Sequence, residues 1–147
     1  MKREIIDETN LVHALRQAIP EVEQAYQDTI TNWSSSTTPG NYILIAETLV
    51  PRLLEELQKD QISDFLMRCG LFLERVCACG NDEAIDVIWI RVFECLISNE
   101  HKRDLERLWP ILGPETKRMI RDAARRWSDA ARMFGHEKDL PEENIPD

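Results

Sequence analysis

The feature that most limits what this chain can fold into is the run from Asp82 to Ser98, DEAIDVIWIRVFECLIS. It contains neither Gly nor Pro and is too long for an ordinary strand, so its β-branched residues are read as helical. Wound at about 100° per residue, Ala84, Ile85, Ile88, Trp89, Val92, Cys95 and Leu96 cover one broad arc. Ile90, Phe93 and Ile97 carry apolar surface to the other side, and the polar strip through Arg91, Glu94 and Ser98, with Asp86 near it, is narrow. A helix apolar nearly all round needs neighbours on several sides.

The surrounding segments are themselves read as helices. Residues 4–19 predict a first helix with Ile5, Ile6, Leu11, Val12, Leu15 and Ile19 as its apolar positions, ended by Pro20, which also suits the first position of the next. That second helix places Val22, Ala25, Tyr26 and Ile30 on one side. Asn32 to Asn41, NWSSSTTPGN, is the clearest loop. Over 43–59 the apolar residues keep helical phase across Pro51, which allows a kinked helix or a break. Asp60 is the expected N-cap of a helix running to Cys79, and Gly70 lies at the edge of its buried face, where another helix could come close. Gly80 followed by Asn81 or Asp82 makes so tight a connection that 62–79 and 83–98 are expected to form an antiparallel pair. A short helix near 101–109 precedes Gly113-Pro114-Glu115, which opens a long last helix. Its predicted buried face is Met119, Ile120, Ala123, Trp127, Ala130 and Phe134.

The expected architecture is all-α: one helical domain over 1–134, its antiparallel helix pairs stacked as a short HEAT-like solenoid or as an irregular bundle. Residues 135–147 are expected to be a flexible acidic tail. No secretory signal and no apolar run of roughly 18 residues is present, so a cytoplasmic location without membrane attachment is expected. The four cysteines lie in helical, mostly apolar segments and are read as reduced thiols.

Chemistry-bearing motifs are few. There is no Walker loop, GxSxG elbow, HExxH or Glu-x-x-His, and no cofactor or metal site is expected. Cys77 and Cys79 would point about 200° apart on a helix, and His13, His101 and His136 sit in separate segments. Glu55 and Glu56 diverge as well, so the chain is read as a binding protein, not an enzyme. The formal net charge of −9 divides as −9 over residues 1–100, +4 over 101–135 and −4 over 136–147. An acidic surface argues against direct nucleic-acid binding and suits a basic partner, though acidity also serves plain solubility. The basic stripe Lys117, Arg118, Arg121, Arg125 and Arg132 has three open readings: it holds the acidic tail or another acidic face, it is solvated, or it binds a phosphate-rich ligand. Trp33, beside the loop, is either a recognition anchor or a lid on the core.

Four stretches carry a resemblance: ALRQAIPEVEQAYQDTI (14–30), LVPRLLEELQKD (49–60), FLERVCACGNDEAIDVIWIRVFECL (72–96) and LGPETKRMIRDAARRW (112–127). Together they resemble a group of small bacterial helical proteins encoded near polymorphic or contact-dependent toxins and regarded as immunity proteins. The resemblance implies binding and neutralisation of a cognate protein toxin, and supplies no catalytic motif. Joined to the charge, it makes Glu21, Glu23, Glu47, Glu55, Glu56, Asp82 and Glu83 the expected complementary carboxylates, with Trp33 and Tyr42 as anchors. The alternative is a HEAT-like adaptor for a peptide or regulatory protein.

Overall fold

Prolines set where several helices begin. In the computed structural model, which describes residues 4–34, 37–136, 138 and 140–147, α1 (Leu11–Ala18) is followed by a 3-10 turn opened by Pro20 (Pro20–Val22) that runs into α2 (Glu23–Asn32). Beyond the loop lie α3 (Asn41–Thr48) and α4 (Val50–Leu57), with Leu49 between them. The Leu49 N–H still donates to the Ile45 carbonyl (3.1 Å) and its own carbonyl accepts from Leu53 (2.9 Å), so this is a kinked helix. Pro51, which has no N–H to donate to the preceding turn, is the cause of the bend. Next come α5 (Asp64–Cys79) and α6 (Asp82–Ile88), which continues through a π-helical turn (Trp89–Phe93) into α7 (Glu94–Leu96). The short α8 (Lys102–Leu108) is flanked by the 3-10 turns Asn99–His101 and Trp109–Ile111, and α9 (Pro114–Met133) precedes a last 3-10 turn, Pro141–Asn144. Among the described residues there is no strand, only an isolated bridge between Ile6 and Gly80. The fold is all-α.

The centre of the core is shared between α5 and the α6–α7 helix. α5 buries Phe65, Leu66, Cys69, Gly70, Phe72, Leu73, Val76 and Cys77, and it touches α1, α4, α6 and α9. Gly70 has the expected role, against a different neighbour: a Cβ there would stand 2.8 Å from the Ile111 carbonyl oxygen, so its bareness admits the 3-10 turn after α8. In the second helix the buried residues are Ala84, Val87, Ile88, Val92, Phe93, Leu96 and Ile97. The steps 84, 88, 92 and 96 are four residues apart and would drift by about 40° each on a regular helix. One wide π turn absorbs that drift, which is why Phe93 and Ile97 are buried while Trp89 and Cys95, assigned to the core by a uniform 100° step, are only half-buried.

Four local expectations are corrected. The first helix starts at Leu11, not near residue 4. The Asp7 carboxylate accepts from the Thr9 N–H (2.8 Å), the Thr9 hydroxyl (2.6 Å) and the Asn10 N–H (3.2 Å), a local arrangement that competes with helix. Ile6 instead bonds the α5–α6 junction, donating to Cys79 O (3.0 Å) and accepting from Asn81 N (2.8 Å). The cap of α5 is Ser63, whose hydroxyl accepts from Leu66 N, and not Asp60. On α9 the buried residues are Thr116, Ile120, Ala123, Ala124 and Ser128, whereas Trp127 and Phe134 are 45% and 74% exposed. Finally, of the tail over 135–147 that its composition marks as flexible, residues 137 and 139 lie outside the described residues and 140–145 are docked: Leu140 and Asn144 are buried. The Asn144 amide donates to Ile97 O (2.8 Å) and Asn99 Oδ1 (2.7 Å), and Glu142 N donates to the Ser128 hydroxyl (3.0 Å).

The start of α9 is capped from another helix. Its N-cap, Gly113, has no side chain to offer, and Glu74 of α5 accepts from Glu115 N (3.2 Å), Thr116 N (2.8 Å) and the Thr116 hydroxyl (2.9 Å). A Cβ on Gly113 would fall 2.3 Å from the Glu74 carboxyl carbon. Partial burial alone would raise the pKa of Glu74, but these hydrogen bonds together outweigh it and the net direction is downward. Glu74→Ala is expected to cost about 1–2 kcal/mol at neutral pH, read by urea unfolding. Because the folded pKa is lowered, that contribution is complete above the ordinary carboxylate range and is lost as pH falls through the folded value, so the gap between wild type and variant should narrow as pH falls below that range. A gap of constant size would rule out carboxylate capping. Asn144→Ala should cost about 1–3 kcal/mol by the same assay, and an unchanged midpoint would mean that the tail contributes nothing to the fold.

Candidate functional site

The carboxylates expected to meet a partner divide into those bound within the chain and those facing solvent. Glu21 accepts a bidentate pair of bonds from Arg68 of α5, and that guanidinium holds its carboxyl below the usual range. Glu23 accepts from Arg16 at 2.8 and 2.6 Å and from Gln27 at 2.9 Å, which brings its pKa down to about 2. Glu56 is 4% exposed and lies between Lys59 (2.8 Å) and Arg52 (3.4 Å). Lys59 first, with Ser63 and Arg52, lowers its pKa. All three are thus engaged in ion pairs within the chain; Glu56 is buried, whereas the Glu23 side chain keeps 44% of its surface exposed.

Glu47, Glu55, Asp82 and Glu83 are exposed, and two of the four line grooves. Trp33 and Glu47 meet in a groove of about 440 Å³ between α2 and α3, with Ala25, Asp28, Thr29, Asn32 and Ile43. Trp33 is 36% exposed there, so it neither covers the core fully nor stands free of it. Asp82 lines a second groove of about 520 Å³ where α6 and the π turn run beside α9. Its other walls are Ile85, Asp86, Trp89, Ile90, Glu94, Arg118, Met119, Asp122 and Arg126. Glu83 sits beside Glu8, and Glu55 lines neither groove. Tyr42, at the start of α3, lies 5.9 Å below the Arg91 guanidinium of the π turn.

The second groove joins apolar and charged surface in a way no single residue announces. Trp89 is half-buried and Ile90 is 42% exposed. Four carboxylates share the walls with two arginines, and both arginines have work within the chain. Arg118 pairs with Glu115 (2.7 Å) and Asp122 (3.9 Å), while Arg126 lies over the Trp89 ring at 5.3 Å. Asp86, Trp89, Ile90, Glu94, Asp122 and Arg126 were not singled out as site residues from the sequence. Asp82 and Asp86 at i,i+4 on an otherwise apolar helix are the local signal that marks this edge; the contribution of α9 has none.

The basic stripe is largely occupied by the chain itself. Arg132 pairs with Asp129 (3.2 Å) and with Glu142 of the docked tail (2.9 Å). Arg125 pairs with Asp122 (3.4 Å), and Lys117 and Arg121 lie over the buried Trp109 ring at 5.5 and 5.2 Å. Among the described residues no group of three or more His, Cys, Asp or Glu side chains could hold a metal ion, and no helix is long and apolar enough to cross a membrane.

An all-α domain with two solvent-open acidic grooves, each bearing a partly exposed Trp, is what the geometry defines. Residues 12–128 match the family described as Domain of unknown function (DUF7674), and the chain belongs to that family. The match takes in both grooves and stops at Ser128, before the last turn of α9 and the docked tail. No curated protein matches the chain, and no solved structure does.

The thiols follow their surroundings. Cys69 and Cys77 are buried and Cys79 and Cys95 half-buried, all unpaired. Burial raises the Cys69 and Cys77 pKa values, the latter to about 12. In native protein at pH ~8, a thiol reagent should therefore modify Cys79 at least about tenfold faster than Cys69 or Cys77. Equal rates at all three, read by mass spectrometry, would contradict the burial described.

Proposed function

We propose that this chain is a bacterial immunity protein that binds and neutralises a cognate toxin, using the acidic groove between α6 and α9 to meet a basic surface. The observation that carries the reading is that groove: Asp82, Asp86, Glu94 and Asp122 stand around the half-buried Trp89 and the exposed Ile90. Carboxylates of this kind steer a basic protein into encounter, and the exposed Ile90, beside the half-buried Trp89 under Arg126, adds apolar contact once docked. The resemblance carried by residues 14–127 supports a toxin as the partner, and the net charge of −9 supports a basic one.

Growth of cells expressing the toxin-like product of an adjacent gene should be restored by this protein, and the two should co-purify. Asp82→Lys combined with Asp86→Lys is expected to weaken that complex by at least about tenfold, chiefly through a slower association that is less sensitive to salt. Glu55→Lys, outside both grooves, should change it by less than about threefold. Rescue that survives the double reversal would move the interface off this groove. Absence of both rescue and complex would remove the immunity reading and leave the adaptor reading, to be pursued by capture of peptide ligands.

A further inference from the structure

The apolar stripe of α9 is longer than the body beneath it. Its last buried apolar residue is Ala124, yet the same helical face continues through Trp127, Ala130, Ala131 and Phe134. Trp127 is 45% exposed, Phe134 74% and the flanking Met133 80%. The overhang has a defined end, because Gly135 adopts φ +76° and stops the helix. It also carries no charge along its stripe, so covering it would strip water from no ionised group. Among the described residues, the tail bonds α9 at Ser128 and Arg132, off the stripe.

We propose that this overhang is the contact face of a two-fold homodimer in which the ends of two α9 helices cross antiparallel, centred between Ala130 and Ala131. The stripe is self-complementary about that point. Trp127 of one copy falls opposite Phe134 of the other, and the small Ala130 and Ala131 meet at the crossing, where they let the helix axes approach closely. At about 200 Å² for a whole large apolar side chain, the exposed parts of Trp127, Met133 and Phe134 amount to roughly 400 Å² per copy. That is within the range of about 300–600 Å² for the largest apolar patch of a monomer, patches that are often functional, and twice it lies below the roughly 1,200 Å² of a standard interface, so the dimer is reversible, with a dissociation constant of order micromolar or weaker. The pairing does not depend on the acidic groove or on a toxin.

Sedimentation velocity from about 10 µM to about 500 µM should show a concentration-dependent monomer–dimer equilibrium. Phe134→Ser should raise its dissociation constant by about tenfold or more, with circular dichroism unchanged because the side chain is exposed in the monomer. The two-fold geometry has its own check. A residue beside the axis lies near its own copy, so Ala131→Glu and Ala131→Lys should each be monomeric alone and should pair when mixed. A protein that stays monomeric throughout the range overturns the proposal, as does a dimer indifferent to Phe134→Ser, or single-charge variants that fail to pair on mixing.

Discussion

The seam between α5 and the segment that opens α9 is where the chain has least freedom. Two glycines mark it from opposite sides: Gly70 lies against the Ile111 carbonyl, and Gly113 lies under the Glu74 carboxylate. Glu74 fixes the first turn of α9, and with it the direction of the whole 20-residue helix. Much else follows from that direction. It lays α9 alongside the π turn, where Arg126 reaches Trp89, and so creates the groove at all. It also carries the helix past Ala124, its last buried apolar residue, to leave Trp127 and Phe134 45% and 74% exposed, and presents Ser128 to the tail. The junction is held by a carboxylate on helix N–H groups, where a hydrogen bond and the helix dipole act in the same sense.

Elements governed by short-range chemistry were legible in the sequence. Pro20 and Pro114 open their segments, Asn81 caps α6 through Ala84 N (2.9 Å), and the bareness of Gly70 is used. What was not legible depends on partners distant in the chain. Glu21 and Arg68 are 47 residues apart and carry no mutual pattern, so Glu21 read as an open carboxylate. The exposure of Trp127 and Phe134 escaped periodicity for a related reason: the 3.6-residue period marks which face of a helix is apolar, and says nothing of where the opposing surface ends. The π turn sits between these cases. Its signal, apolar residues at steps of four, was present in 84, 88, 92 and 96, but a uniform 100° step averages it away.

Charge behaves differently in the structure than in the composition. Of the acidic residues expected to meet a partner, Glu21, Glu23 and Glu56 are paired with arginine or lysine of the same chain, while Glu47, Glu55, Asp82 and Glu83 are exposed. The basic segment is likewise spent, on Trp109, on Asp122 and on the tail.

The tail's attachment has a consequence for how the family could vary in length. Its match ends at Ser128, the residue whose hydroxyl receives the tail. Asn144 then closes the end of α7 by bonding the Ile97 carbonyl, a group that a helix terminus otherwise leaves to solvent. A relative that stopped at the end of α9 would keep the contacts of the α5–α9 seam but would lose the Asn144 bonds, the Glu142–Arg132 pair and the burial of Leu140. The C-terminal segment is thus a clasp that joins the end of α7 to the last turns of α9.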